Sequence, residues 1–135
     1  MKLFKVTLIL VLIISTSTQC QEKKGTVSLN YKAQTRGFQL EIQLQNKVLE
    51  IVKNDQTKEA NLSNEEFLEL NNLLSNINFE AISSSLLIKD VAVDRVVPGT
   101  FELIFNQKKY YFEFDHNKLP KDIQLLLDKL QNYIS

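Results

Sequence analysis

The 135-residue chain has one cysteine, one histidine, two prolines, three glycines and no tryptophan. A single Cys excludes a disulfide framework and any zinc site built on several thiolates. Glycines at positions 25, 37 and 99 alone leave no Gly-rich phosphate loop, and a Gly-x-Ser-x-Gly nucleophile elbow is missing too. One His cannot form a His-x-x-x-His metal pair. Asp90 and Asp94 come nearest to a calcium loop, but they stand four apart without the central Gly such a loop needs. No sign of charge dominates, since 16 Lys and Arg face 16 Asp and Glu. That balance removes the basic footprint of a nucleic-acid binder. The apolar run at 6–14, interrupted only by Thr7, covers nine residues. A helix that spans a bilayer needs roughly 20.

What is present begins with an address. Lys2 and Lys5 make a basic start, residues 6–14 an apolar middle, and Ser15 to Gln19 a small and polar end, with Cys20 directly after. These are the three parts of an export signal. The lone Cys at the cleavage point resembles a bacterial lipoprotein signal, in which the Cys becomes the first mature residue and its sulfur takes a diacylglycerol. Ser17 and Gln19 stand where the usual lipobox has Leu and a small residue. The alternative is a plain secretory signal cleaved nearby, leaving Cys20 as a free thiol. The lipoprotein reading gives a signal peptide at 1–19, a tether at 20–25 and one domain at 26–135. Lipid attachment is at Cys20, and the location is the bacterial cell envelope. Stable anchoring takes more than one acyl chain, each buried methylene adding about 0.8 kcal/mol. Removing Lys2 and Lys5 from the 16 basic residues leaves 14 against 16 acids, a slightly acidic mature chain.

Within the domain, residues 27–33 and 38–44 alternate apolar with polar, the period of strands with one buried face. Arg36-Gly37 separates them as a turn, and Asn46-Lys47 turns into a third strand at 48–53. The polar stretch 55–60 reads as a loop. Ser63 with Glu66 forms a capping box, Leu62 with Phe67 has the spacing of a hydrophobic staple, and Phe67, Leu70, Leu73, Leu74 and Ile77 make a helical stripe. Residues 79–99 are expected to be mostly irregular, short edge strands at 86–88 and 91–93 being the alternative. Phe101, Leu103 and Phe105 alternate again, and Tyr110, Phe112 and Phe114 alternate back as a hairpin. Pro120 suits the first turn of a last helix with Ile123, Leu126, Leu127, Leu130, Tyr133 and Ile134 on its stripe. The expectation is an α+β domain with a roughly five-stranded antiparallel sheet in the order β-β-β-α-β-β-α and two amphipathic helices on one face.

Candidates for chemistry are few. Asp115 and His116 are adjacent before the last helix, a pairing that could hold a metal or move a proton. Neighbours on a strand point to opposite faces, however, and Asp is common at turns and caps. Arg36 at a hairpin tip has the planar fork suited to a carboxylate of a ligand or partner, or it is simply solvated. Asp94 with Arg95 reads as an exposed loop ion pair, worth less than about 1 kcal/mol. Tyr110, Phe112 and Phe114 lack the basic groove that goes with a nucleic-acid stacking platform, so they read as core.

Arg36-Gly37-Phe38, Tyr110-Tyr111, Phe114-Asp115-His116 and Leu119-Pro120 together resemble a family of small, uncharacterised Bacteroidota (flavobacterial-type) envelope lipoproteins, over most of residues 26–134. Asn117 stands where that family has Gly after the His. The resemblance implies an envelope lipoprotein and brings no activity with it. Three functions are consistent with these features. The leading one is a non-enzymatic binding or assembly module, held to the membrane by acylated Cys20 and engaging an envelope protein. The alternative is an inhibitor or immunity lipoprotein against a hydrolase or toxin. The third is a metal-dependent or acid–base enzyme using Asp115 and His116. No cofactor, resident metal or nucleic acid is expected.

Overall fold

A computed structural model describes residues 25–85 and 97–135. The signal at 1–19, Cys20, the tether as far as residue 24, the edge strands at 86–88 and 91–93, and Asp94 with Arg95 lie outside the described residues.

The domain is α+β, a single open antiparallel sheet with helices packed against it. The strands are β1 (Ser28–Thr35), β2 (Phe38–Gln45), β3 (Val48–Lys53), β4 (Gln56–Asn61), β5 (Pro98–Phe105) and β6 (Lys108–Asp115). The helices are α1 (Asn64–Asn76), α2 (Phe79–Ser85) and α3 (Lys121–Asn132), with a short 3-10 turn at His116–Lys118. Strand order across the sheet is β4-β3-β2-β1-β5-β6. β1 thus sits inside, paired with β2 and with β5, and β4 and β6 form the two edges.

Register explains the alternation. Tyr31 lies opposite Ile42 on one side and Phe101 on the other, and Ile42 in turn faces Ile51 while Phe101 faces Phe112. This row and its neighbours put every buried strand side chain on one face, where Leu70 and Leu74 of α1, Phe79 and Ile82 of α2, and Ile123, Leu126, Leu127 and Leu130 of α3 complete the core. Each such aliphatic contributes about 1.5–3 kcal/mol through burial. The other face carries Asn30, Lys32, Glu41, Gln43, Glu50, Glu59 and Glu102, and it stays in water.

Two expectations are corrected. The polar stretch 55–60 is not a loop, because Gln56–Asn61 forms a sixth strand paired along β3. Only Ala60 in it is even half-buried, so an edge strand with two wetted faces shows no hydrophobic period. Its signal was in the turn: Asn54 and Asp55 both have positive φ, at 46° and 66°, the geometry of a tight hairpin connection. Likewise, the stretch 79–99, expected to be mostly irregular and without a helix, opens with one. Phe79–Ser85 is a third helix, entered where Asn78 Oδ1 accepts from the Ala81 N–H at 3.0 Å and fastened by buried Phe79 and Ile82. Seven residues ending in three serines are too short to display a helical stripe.

The Ser63 capping box forms as the spacing predicts. Ser63 Oγ accepts from the Glu66 N–H at 3.1 Å, and the Ser63 N–H donates to Glu66 Oε2 at 2.8 Å. Pro120 stands immediately before α3, and its carbonyl accepts the Gln124 N–H at 2.9 Å.

Candidate functional site at the far end of the sheet

β1 begins at Ser28, three residues after Gly25, and runs eight residues to the Arg36-Gly37 turn. At about 3.3 Å per residue that turn lies roughly 25 Å along the sheet from the chain's entry. Register brings other segments to the same end. Gln39 exchanges backbone and side-chain hydrogen bonds with Asn54 in the β3–β4 turn, each 3.0 Å long, and Pro98 at the start of β5 pairs with Asp115 at the end of β6. The far end therefore gathers Arg36, Asn54, Asp55, Val97, Asp115 and His116.

Its centre is a tyrosine. Tyr31 is fully buried, and its hydroxyl lies over Gly99, where an added Cβ would come within 2.9 Å of the oxygen. Gly99 is required there for space. The hydroxyl is 2.5 Å from Nδ1 of His116, and the His116 ring also packs against Phe38, with centroids 5.1 Å apart. Burial, with the Asp115 carboxylate adding to it, pushes the Tyr31 hydroxyl up to about 12. Burial holds His116 below the ordinary imidazole value, against the pull of Asp115. At neutral pH the tyrosine therefore keeps its proton and donates it, Nδ1 accepts, and the imidazole carries its own proton on Nε2.

Asp115 faces other partners. Its Oδ1 accepts from the Asn117 N–H at 3.1 Å, capping the 3-10 turn, and from the Val97 N–H at 3.3 Å. The His116 N–H donates to the Val97 carbonyl at 2.8 Å. Asp115 and His116 are thus neighbours whose polar atoms are turned to different groups, and the hydrogen bond a catalytic Asp–His pair would share is not made. Among the described residues, no three His, Cys, Asp or Glu side chains are placed to hold a metal ion. Arg36 is exposed at the tip, and its side chain makes no hydrogen bond or ion pair with a described residue.

The structure joins the two singled-out segments, but not through the side chains expected to do chemistry. Phe38, not Arg36, meets His116, and Tyr31 supplies the hydrogen bond. Tyr31 reads in the sequence as one more apolar position of an alternating strand. The available clue was its hydroxyl, because a buried tyrosine needs a hydrogen-bond partner and this chain holds one imidazole.

No protein-family model matches the chain, and no curated protein is significantly similar to it.

Proposed function

We propose that the protein is a lipid-anchored bacterial envelope protein of the kind its sequence resembles, and that its domain is a non-enzymatic binding or assembly module presenting the far end of the sheet. The observation that carries this reading is polarity. The mature chain would leave the membrane at Cys20 and enter the sheet at Ser28, whereas Arg36, Asn54 and Asp55 sit at the opposite end of β1. A tip of two tight turns, one beside the Phe38–His116 ring contact and the other bonded through Asn54 to Gln39, offers exposed polar groups, including a guanidinium suited to a partner carboxylate. Being pre-ordered, it loses little conformational freedom on binding.

The test is affinity capture of the full-length protein from crosslinked, detergent-solubilised envelope, alongside Cys20→Ala and Arg36→Ala. The expected result is one abundant envelope protein whose recovery falls in both variants. Capture that is unchanged by Arg36→Ala removes the tip from the reading. Loss of sensitivity control over a cell-wall hydrolase or a competitor toxin on deleting the gene, with no envelope partner captured, favours the inhibitor or immunity alternative.

A further inference from the structure

The end of the sheet nearest the chain's entry carries a different surface. An open groove of about 610 Å³ runs between α1 and the β5–β6 turn, bordered by Gly25, Lys47, Phe67, Leu68, Phe105 and Asn106. Leu68 is 61% exposed, the highest value among the large apolar side chains of the described residues. Lys47 bonds Asn64 Oδ1 and lies over the Phe67 ring, 5.9 Å from its centroid, so its charge stands at the groove's rim. Lys108 and Lys109 follow the adjoining β5–β6 turn. Acids are present too: Glu65 is exposed in the first turn of α1, and Glu80 reaches Lys108 at 3.7 Å.

The groove's position relative to the anchor decides what can cover it. Gly25 lies on its border, packed so that a Cβ there would stand 3.3 Å from Asn106 Oδ1. Gly25 is five positions after Cys20, and a fully extended chain over those five steps spans at most about 18 Å. If Cys20 is acylated, the groove cannot leave the neighbourhood of the bilayer.

We propose that this end of the domain docks on the membrane surface, with Leu68 and Phe67 entering the headgroup boundary and Lys47 meeting lipid phosphates. Apolar side chains rimmed by Lys are the composition of interfacial contact. Docking fixes the orientation of the domain and points the Arg36 tip away from the lipid. This inference rests on the lipid-anchor reading and adds to it a defined contact face.

The chain's one natural thiol would carry the lipid, so an introduced Cys can be labelled alone. Full-length protein with Leu68→Cys, Asn64→Cys or Arg36→Cys is purified, and lipid on Cys20 is verified by mass spectrometry. Each variant is labelled with an environment-sensitive fluorophore and reconstituted in phosphatidylethanolamine/phosphatidylglycerol vesicles. Labels at 68 and 64 should shift to the blue and lose intensity when doxyl lipids are included. The label at 36 should respond only to a water-borne quencher. Adding Leu68→Asp to the Asn64→Cys protein should abolish the lipid-borne quenching while circular dichroism stays unchanged. Labels at 68 and 64 as open to water as the label at 36, on protein whose Cys20 is acylated, overturn the docking alone. Protein without lipid on Cys20 overturns the anchor reading and the docking with it.

Discussion

The hydroxyl of Tyr31 donates a 2.5 Å hydrogen bond to Nδ1 of His116, 85 positions later in the chain. The bond ties the middle of the central strand to the turn that delivers the last helix, and Gly99 leaves the space in which it forms. Most of what can be tested about the far end of the sheet follows from this contact and from the cap beside it.

Gly99→Ala should destabilise the domain by roughly 1–3 kcal/mol, because the new methyl meets the Tyr31 oxygen inside a packed core. Tyr31→Phe should cost about 1 kcal/mol, the net value of one hydrogen bond. In the Tyr31→Phe background the oxygen is gone, and Gly99→Ala should cost less than it does alone. Urea denaturation of the four proteins of this cycle measures the coupling, and strict additivity would contradict the contact.

His116 gives stability a defined pH dependence. Its folded-state value lies below the unfolded one, so between the two the unfolded chain binds more protons. Stability is therefore unaffected above the unfolded value of about 6.5, falls as pH drops through it, and levels off below the folded value. His116→Gln should flatten that slope. The ring's NMR titration should show a midpoint under that of a free imidazole, and a midpoint above it would contradict the burial described.

Tyr31 predicts the alkaline limb. Its value is raised from 10.0 to about 12, so the stability it contributes is complete below pH 10 and is lost as pH rises towards 12. An ultraviolet titration should show a late ionisation near pH 12, and the Tyr31→Phe spectrum should lack that step.

Asp115→Ala removes the acceptor for the Val97 and Asn117 N–H groups. The loss should be about 0.5–2 kcal/mol, the range for a side-chain cap. Hydrogen exchange should accelerate at those two amides and leave those of β2 and β3 unchanged.

Ser63→Ala and Glu66→Ala each break one half of the α1 capping box. Ser63→Ala should cost about 1 kcal/mol. The double variant should cost less than the sum of the two, since either change disturbs the same helix end. Thermal or urea unfolding of the set decides it.

Legibility in the sequence followed the physics of burial. β1, β2, β3, β5 and β6 each keep one face in the core, so their alternation could be read directly, and the stripe of α3 could be read for the same reason. β4 could not, because a polar edge strand is held by backbone bonds to β3, and those bonds leave no period in side-chain polarity. α2 was hidden by its length. At the far end, Asp115 and His116 were conspicuous as residue types, whereas Tyr31 looked like an ordinary strand residue and Val97 and Gly99 fell in a stretch without a readable period.

By itself the sequence determined the class of the domain, the boundaries of its strongly patterned elements, and the cap of α1, because local propensity and burial period act over a few neighbouring residues. Tertiary structure alone decided the strand order, which puts β1 between β2 and β5. It also decided the meeting of Tyr31, Gly99, Phe38 and His116. Contacts between residues so far apart depend on how the sheet closes around its core, and a pattern of neighbours along the chain carries no record of that.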